Sequence, residues 1–329
     1  MRLPLQGGLP PADTVAGPVV EIACDESGFS GTNLLHPATP VITHASVDLG
    51  VGEAVGVIAT LRSGYRFSPH EFKSGQFLRS PKAGEALDSF LTALAGRAHV
   101  HLVDKEFFLA TRIVDLLLAK PSYAAGTRLT RDQRPAALAL YRAGRAAGPD
   151  WRDFLTAFVD LVRIKRRHRP DRQALERFFQ ARDALARNDG LDPAAGDVLD
   201  ALSRTRVWAV LNRLSDDDQS IPPPLEPMLP ALAETVLFWS RRQRQVLVIH
   251  DEQSALTAGR LSRLRKVLAG ASPAGVSPLA GLVMVDSRDD PRVQVADLLA
   301  GVARRLPGIA DGGPLRPFLS PTSLHDPER

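Results

Sequence analysis

The sequence has a single cysteine and no long apolar run, and these two features exclude several classes of protein. Cys24 is the only cysteine among 329 residues, which excludes an intrachain disulfide and a cysteine-based zinc site. The longest apolar runs, such as 246–249 and 281–285, fall far short of the ~18–20 residues that a membrane span requires. Residues 1–17 carry Pro and Gly where a signal peptide needs an apolar stretch. We therefore expect a soluble, cytoplasmic protein without a membrane partner.

Several common catalytic and binding motifs are also missing. The chain has no phosphate-loop GK[ST] sequence and no Gly-x-Ser-x-Gly elbow. Glycines 50, 52 and 56 resemble a dinucleotide-binding pattern, but they are predicted to join two strands and not to open a helix. His99 and His101 share one face of a predicted strand without an evident third ligand, so we interpret them as buried or edge strand positions.

Basic residues are concentrated in the middle of the chain. The composition is that of a globular protein, with 44% hydrophobic and 24% charged residues and a formal net charge of +4. Residues 163–187 hold nine basic and three acidic residues. This stripe is a candidate nucleic-acid contact, and the alternative is the solvated face of an arginine-rich helix. The predicted backbone contacts are Arg163, Lys165, Arg166, Arg167 and Arg169.

Hydrophobic periodicity divides the chain into an α/β core and a helical middle. Strands are predicted at 19–25, 41–49 and 54–61 as an antiparallel meander, followed by a helix at 82–95 and a strand at 99–103. A strand–helix–strand–helix pattern returns at 246–250, 255–268, 282–286 and 293–306. The helices predicted between these parts are 133–147, 151–162, 171–187, 198–214 and 229–242. The predicted organisation is a flexible N-terminus (1–18), a core (19–104 and 246–306), a helical insertion (105–245) and a loose C-terminal tail (307–329).

Two carboxylates stand where apolar strands end. Asp25 follows the first strand, and Asp251 follows the strand at 246–250. Functional sites gather at strand ends in α/β sheets. Because side chains alternate across a strand, Asp25 and Glu26 face opposite sides, and we assign Asp25 to the site. The alternatives are structural: Asp25 opens a turn, and Asp251 caps the helix that follows.

Asp297 and Glu71 complete the set of candidate acids. Asp297 lies in an apolar helical stretch, where a carboxylate needs a cation or hydrogen-bond donors to offset its desolvation. The alternative is a pair with Arg304 or with a loop donor. Glu71 precedes the first helix, and Lys73 shares its face if the segment is extended. Here the functional interpretation is a ligand beside a phosphate contact, and the alternative is an exposed ion pair.

These residues together resemble the motifs of a known family, the domain of unknown function 3800 family, which is viewed as having a ribonuclease-H-like fold. The motifs are, in chain order, Asp25-Glu26-Ser27-Gly28, Glu71-Phe72-Lys73, a late strand ending at Asp251, and Ser287 followed by Gln294-Val295-Ala296-Asp297-Leu298. The resemblance covers residues 19–105 and 245–306. It implies an α/β fold with a ribonuclease-H-like mixed sheet flanked by helices, interrupted by a large α-helical insertion.

The resemblance also implies a function, a metal-dependent nuclease. Four carboxylates brought together at one sheet edge repel one another unless Mg²⁺ or Mn²⁺ lies among them. The implied ligands are Asp25, Glu71, Asp251 and Asp297, with Lys73 on a phosphate of DNA or RNA. The alternatives are a non-catalytic nucleic-acid- or partner-binding module of the same fold, and another phosphoryl- or strand-transfer activity. Membership of Glu26, His250 or Glu252 in the site stays open.

Overall fold

A computed structural model describes residues 7–11, 17–29, 31, 33–65, 74–163, 169–188, 190–241, 243–306 and 313–328. The chain divides into two compact units. The first consists of Met1–Phe29, Val41–Val103 and Ala231–Arg329, and the second of Ser30–Pro40 and Asp104–Pro230. The second unit lies within the predicted helical middle except for Ser30–Pro40, whereas residues 231–245 belong to the first unit.

The protein is mixed α/β, with a five-stranded sheet in the first unit. The strands are β1 (Val19–Ser27), β2 (Val41–Val47), β3 (Ala98–Asp104), β4 (Gln245–Asp251) and β5 (Leu279–Val285). The helices of the described residues are α1 (Val51–Tyr65), α2 (Ser74–Phe77), α3 (Ala83–Ala93), α4 (Lys105–Ile113), α5 (Arg134–Ala146), α6 (Pro149–Val162), α7 (Arg172–Ala186), α8 (Pro193–Asp200), α9 (Arg204–Ser215), α10 (Met228–Ser240), α11 (Ala258–Gly270) and α12 (Pro291–Arg305). Within this part of the chain, no helix is both long and apolar enough to cross a membrane.

The sheet has the strand order β3-β2-β1-β4-β5. β1 pairs antiparallel with β2, whereas β4 runs parallel to both β1 and β5. The parallel register pairs Ala23 with Ile249 and Cys24 with His250. The carboxyl ends of β1, β4 and β5 therefore lie at the same edge of the sheet, which is where α/β folds place ligands.

Each face of the sheet is covered by a different set of helices. Ala23, Ala45 and Ile249 lie in a buried apolar cluster with residues of α1, α3 and α12. The opposite face carries Ser46, whose hydroxyl accepts a hydrogen bond from Trp239 Nε1 of α10 at 2.8 Å. Since alternate residues of a strand point to opposite faces, β1 directs Asp25 toward the α12 face.

The third predicted strand, 54–61, is wrong, because this segment forms α1. The buried residues Ala54, Ile58 and Leu61 recur at helical spacing, while Val55 is 51% exposed. The β-branched residues of this short apolar run made helix and strand hard to distinguish. The glycines at 50, 52 and 56 therefore do open a helix. Glu53 Oε2 accepts the Gly50 amide at 2.6 Å, so a carboxylate of the chain itself occupies the helix N-terminus.

Both terminal segments, predicted as flexible or loose, pair with the sheet where they are described. The Leu9 amide donates to Leu282 O of β5 at 2.9 Å, and the Leu282 amide donates back at 2.8 Å. At the other edge, the Ser320 amide donates to Val100 O of β3 at 2.7 Å, and the Leu324 amide donates to Leu102 O at 2.8 Å. Edge strands expose unpaired backbone groups, and these contacts satisfy part of them. Proline content alone did not reveal this pairing.

The second unit is built from helices around an aromatic core. Phe154 and Phe158 of α6 pack against Phe178 of α7, with ring centroids 5.3 and 6.3 Å from Phe178. Asp171 caps α7 by accepting the Gln173 amide at 2.8 Å. The predicted helix 198–214 is instead two helices, α8 and α9, because the second begins at a new cap, Ser203, which accepts the Arg206 amide.

The pairing of the N-terminal segment with β5 can be tested at Gly281, a glycine of that strand. A Cβ atom at Gly281 would lie 2.8 Å from Pro11 N and 2.9 Å from Leu9 O. We expect Gly281→Val to displace this segment and to lower the free energy of unfolding by about 1–3 kcal/mol. Urea unfolding measures this loss, with Gly270→Ala, which meets no atom within 4 Å, as the control. Unchanged hydrogen-exchange protection of the Leu282 amide in Gly281→Val would contradict the assignment.

Candidate functional site

Asp25 and Asp251 lie on the same face and at the same edge of the sheet. Each stands two residues beyond a member of the parallel pair Ala23–Ile249, so both side chains point toward the α12 face. Asp251 does not cap α11, which begins after Thr257. Its Oδ1 instead accepts the Ser287 amide at 3.0 Å. The end of β4 and the loop after β5 are thus joined through the Asp251 carboxylate.

Helix α12 brings Asp297 to these strand ends. Thr43 Oγ1 of β2 donates to Ala300 O at 2.7 Å and fixes the helix against the sheet. One turn beyond Asp297, a Cβ atom at Gly301 would lie 2.2 Å from Ser74 Oγ, so only glycine allows α2 to approach this closely. Three separate segments, β1, β4 and α12, therefore contribute an acid to one region.

The pKa of Asp25 responds to its burial and to neighbouring acids. Asp25 is only 5% exposed. Burial raises its pKa well above the ordinary value, and the carboxylates of Glu26, Asp297 and Asp251 raise it further. The Glu26 amide donates to Asp25 Oδ1 at 2.6 Å, which lowers the pKa in part. The acids that act on the pKa of Asp25 thus include the two other described candidates, Asp251 and Asp297.

Asp251 is less buried than Asp25, and the acids that affect its pKa are its own near neighbours and not Asp25 or Asp297. Burial raises its pKa, while backbone hydrogen bonds from Glu252 and Ser287 lower it, and the carboxylates of Asp286 and Glu252 raise it. Glu26, which the alternation of β1 directs to the other face, accepts a hydrogen bond at Oε1 from Gln253 Nε2. Gln253 is buried. Sequence reasoning missed this contact because it joins residues 227 positions apart.

The glycine of the first motif has a steric role. Gly28 has φ +91°, which favours glycine, and a Cβ atom there would lie 2.5 Å from Val41 O and 2.6 Å from Arg304 Cδ. Arg304 Nε donates to Ser27 Oγ at 2.9 Å. The two last residues of the Asp25–Gly28 motif thus accommodate and bind an arginine of α12, which physically connects the first motif to the last one.

Carboxylate oxygens are suitable ligands for a hard divalent cation. The described residues, however, do not form a complete set of metal ligands. Among them, no group of three or more His, Cys, Asp or Glu side chains is arranged to hold a metal ion. Glu71 and Lys73 lie outside the described residues. The raised pKa of Asp25 nevertheless reflects negative charge crowded around a buried carboxyl, which a bound cation would relieve.

The predicted basic stripe is only partly described. Lys165, Arg166 and Arg167 lie outside the described residues, whereas Arg163 and Arg169 are exposed. Arg163 lies 3.8 Å from Asp160. Farther along, the stripe's arginines contact their own unit: Arg172 lies over the Trp208 ring, Arg177 lies 3.8 Å from Asp171, and Arg182 donates to Leu202 O. These contacts favour the interpretation of residues 172–182 as a structural helix face.

The opposite face of the sheet carries four buried histidines, His44, His99, His101 and His250, each at most 1% exposed. His99 stacks on Phe238 of α10 with centroids 4.0 Å apart, so its interpretation as a buried strand position is confirmed. His44 Nε2 lies 3.1 Å from His250 Nε2, although the two residues are 206 positions apart. No sequence signal predicted this pair.

The hydrogen bonds of the histidine pair determine its tautomers. A carbonyl oxygen only accepts, so His250 Nδ1 donates to Asp251 O at 2.9 Å. Burial lowers the pKa of His250 to about 4, which leaves the ring neutral and makes Nε2 an acceptor. His44 Nε2 therefore donates to His250, and His44 Nδ1 accepts from the Thr235 hydroxyl at 3.0 Å. A directional chain of hydrogen bonds thus runs from α10 to the backbone of Asp251.

Comparisons with protein-family models, with curated proteins and with solved structures found no match to this chain.

The buried histidines predict loss of stability in mild acid. Burial and the neighbouring histidines hold the pKa of His44 well below its ordinary value of 6.5, as burial does for His250. The unfolded chain therefore binds protons first, and stability falls as the pH drops from about 6.5 toward 4. We expect His250 alone to cost about 2 kcal/mol by about pH 5.

Urea unfolding in EDTA at several pH values measures this loss. His44→Gln removes one titrating ring and should reduce the pH dependence, whereas His36→Gln, at an exposed position, should not. An identical pH dependence in wild type and His44→Gln would contradict the assignment.

Removing a crowded carboxylate should stabilise the metal-free protein. Asp25→Asn keeps an oxygen that accepts the Glu26 amide but removes one buried negative charge, so we expect the free energy of unfolding to rise by about 0.5–2 kcal/mol near neutral pH. The gain should vanish in acid, because a carboxyl whose folded pKa is raised costs stability only above the pH at which the same carboxyl ionises in the unfolded chain. Thermal unfolding in EDTA measures this, with exposed Asp289→Asn as the control. A melting temperature below that of wild type would refute the crowding.

Proposed function

We propose that the protein is a metal-dependent nuclease with a ribonuclease-H-like fold, similar to the domain of unknown function 3800 family. The observation that carries the proposal is the buried Asp25 carboxyl, whose pKa is raised by burial and further by the acids at the ends of β1 and β4 and on α12. Crowded carboxylates cost stability, and a site that binds cations is the usual reason for keeping them.

The architecture supports the fold part of the proposal. The mixed sheet joins an antiparallel strand, β2, to the parallel strands β1, β4 and β5, and helices pack on both faces. Acids stand at the shared carboxyl edge of this sheet, as the proposal requires. Most of the proposed helical insertion, 105–245, falls within the second compact unit, which supports its treatment as a separate part, whereas residues 231–245 belong to the first unit.

In this proposal, Asp25, Glu71, Asp251 and Asp297 hold Mg²⁺ or Mn²⁺. Bound ions of this kind lower the pKa of water and stabilise the leaving oxygen of a phosphodiester. Ser74 directly follows Lys73 in the sequence, and its contact with Gly301 one turn beyond Asp297 supports the inclusion of Glu71 and Lys73. Lys73 would bind a phosphate oxygen.

The residues of the chain itself hold the carboxylates in position before any substrate arrives. The Ser287 amide orients the Asp251 carboxylate, and the Glu26 amide orients that of Asp25. Such prior orientation is what electrostatic catalysis requires, because the groups need not reorganise during the reaction. Arg163, Lys165, Arg166, Arg167 and Arg169 remain the proposed contacts to nucleic-acid backbone.

Loss of one carboxylate should abolish cleavage without unfolding the protein. We expect wild type to cleave at least one of single-stranded DNA, double-stranded DNA and RNA with Mg²⁺ or Mn²⁺, and not in EDTA. Asp25→Asn or Asp297→Asn should reduce the rate by at least about 100-fold, a loss of roughly 2.7 kcal/mol of transition-state stabilisation. Asp289→Asn, with the same charge change at an exposed site, is the matched control. Full Mg²⁺-dependent turnover in Asp297→Asn would refute the role of Asp297 as a metal ligand.

One observation favours a second function, a non-catalytic nucleic-acid- or partner-binding module. The described residues contain no group of side chains arranged to hold a metal ion. Titration with Mn²⁺ separates the two functions, because a catalytic site should bind the ion and raise the melting temperature as its concentration increases. A melting temperature that does not respond to Mn²⁺, together with nucleic-acid binding, would favour the module.

A further inference from the structure

Helix α12 ends in two adjacent arginines that are each held by a hydroxyl group. Arg304 Nε donates to Ser27 Oγ at 2.9 Å, and Arg305 Nε donates to Ser74 Oγ at 3.2 Å. Ser27 is two residues beyond Asp25. The pair is therefore anchored to the end of β1 and to the start of α2.

A glycine in the first anchoring segment leaves room for the Arg304 side chain, because a Cβ atom at Gly28 would lie 2.6 Å from Arg304 Cδ. Gly75 lies beside the Arg305 guanidinium, where a Cβ atom would be 3.5 Å from Cζ. Each arginine uses Nε for its anchor, so the anchor does not occupy the terminal nitrogens of the planar fork. This geometry differs from that of a solvated arginine, whose position nothing fixes.

The charge of the pair is not balanced by the described residues. Among these, neither Arg304 nor Arg305 forms an ion pair with a carboxylate, and their anchors are neutral hydroxyls. Arg304 is partly buried, and burial together with the neighbouring Arg305 lowers its pKa. Two fixed cations side by side repel each other, and an anion between them would remove that cost.

We propose that Arg304 and Arg305 form an anion site for a backbone phosphate of nucleic acid, beside the carboxylates. The inference rests on the proposed function and gives that site a second substrate contact. Arg304 follows Asp297 by seven residues, two helical turns or about 10 Å along the same face of α12. This separation places the arginines on a phosphate that flanks the one at the acids, where they position the strand and do not react with it.

Fluorescence anisotropy of the full-length protein tests the site without requiring cleavage. The probes are fluorescein-labelled single-stranded DNA, double-stranded DNA and RNA, in buffer with Ca²⁺ replacing Mg²⁺. We expect Arg304→Gln/Arg305→Gln to weaken binding roughly 10- to 100-fold, since charge-assisted hydrogen bonds are lost. On a single strand, the slope of log affinity against log salt should flatten by about 1.4, or 0.7 per contact.

Matched variants separate a lost contact from a lost fold or a lost charge. Arg265→Gln/Lys266→Gln on α11 removes the same net charge and should leave affinity nearly unchanged. Arg304→Lys keeps the charge but not the fork, and should show an intermediate affinity. Arg305 is exposed, so Arg305→Gln alone should fold normally and still weaken binding. A methylphosphonate strand, which lacks backbone charge, should not distinguish the double variant from wild type.

Two results would overturn the proposal: wild type that binds none of the three probes, or a double variant with unchanged affinity and salt slope. The second result would mean that the arginines only complement the dipole at the C-terminus of α12. Cleavage assays on the same protein preparations, with Mg²⁺ or Mn²⁺ in place of Ca²⁺, keep the two proposals apart. Weakened binding without any wild-type cleavage supports the anion site and refutes the nuclease, whereas wild-type cleavage with unchanged binding refutes the anion site alone.

Discussion

The repulsion between the buried Asp25 carboxyl and its acidic neighbours is the constraint on which the carboxyl edge of the sheet depends. Asp25 is nearly inaccessible, and both its burial and three neighbouring acids oppose its ionisation. A fold selected only for stability would replace such a residue with an apolar one. The parallel pairing of β1 with β4 ends one residue before Asp25 and Asp251 and so sets both carboxylates at the same edge of the sheet.

Helix α12 organises this part of the fold because β1, β2 and α2 all contact it. Thr43 of β2 bonds to its backbone, Gly301 receives Ser74, and Arg304 bonds to Ser27. These contacts explain in physical terms why Ser27 and two glycines occupy their positions. Gly28 and Gly301 are required because another segment occupies the space of a Cβ atom at each position. The spacing of the motifs reflects one packing arrangement around one helix.

Asp251 connects the two faces of the sheet. Its carboxylate faces α12 and accepts the Ser287 amide, whereas its carbonyl accepts from His250 on the α10 side. The neutral chain from Thr235 through His44 to His250 leaves each of these side chains with a defined donor or acceptor role. A buried polar network of this kind costs little only when every member is satisfied, so it restricts the position of the Asp251 peptide.

The sequence by itself determined most elements and the position of Asp25 and Asp251 at strand ends. Periodicity and caps located α3, α5, α6, α7 and α12, whereas the parallel register that puts the two acids on one face came from the structure. The sequence did not determine α1, because its short apolar run fits both the strand period and the helix period. Val55, which belongs to that run, is exposed in the structure. Only the tertiary structure decided which acids surround Asp25, the pairing of His44 with His250, and the covering of both sheet edges by the terminal segments. These depend on contacts between residues far apart in the chain, whereas local patterns report only on near neighbours.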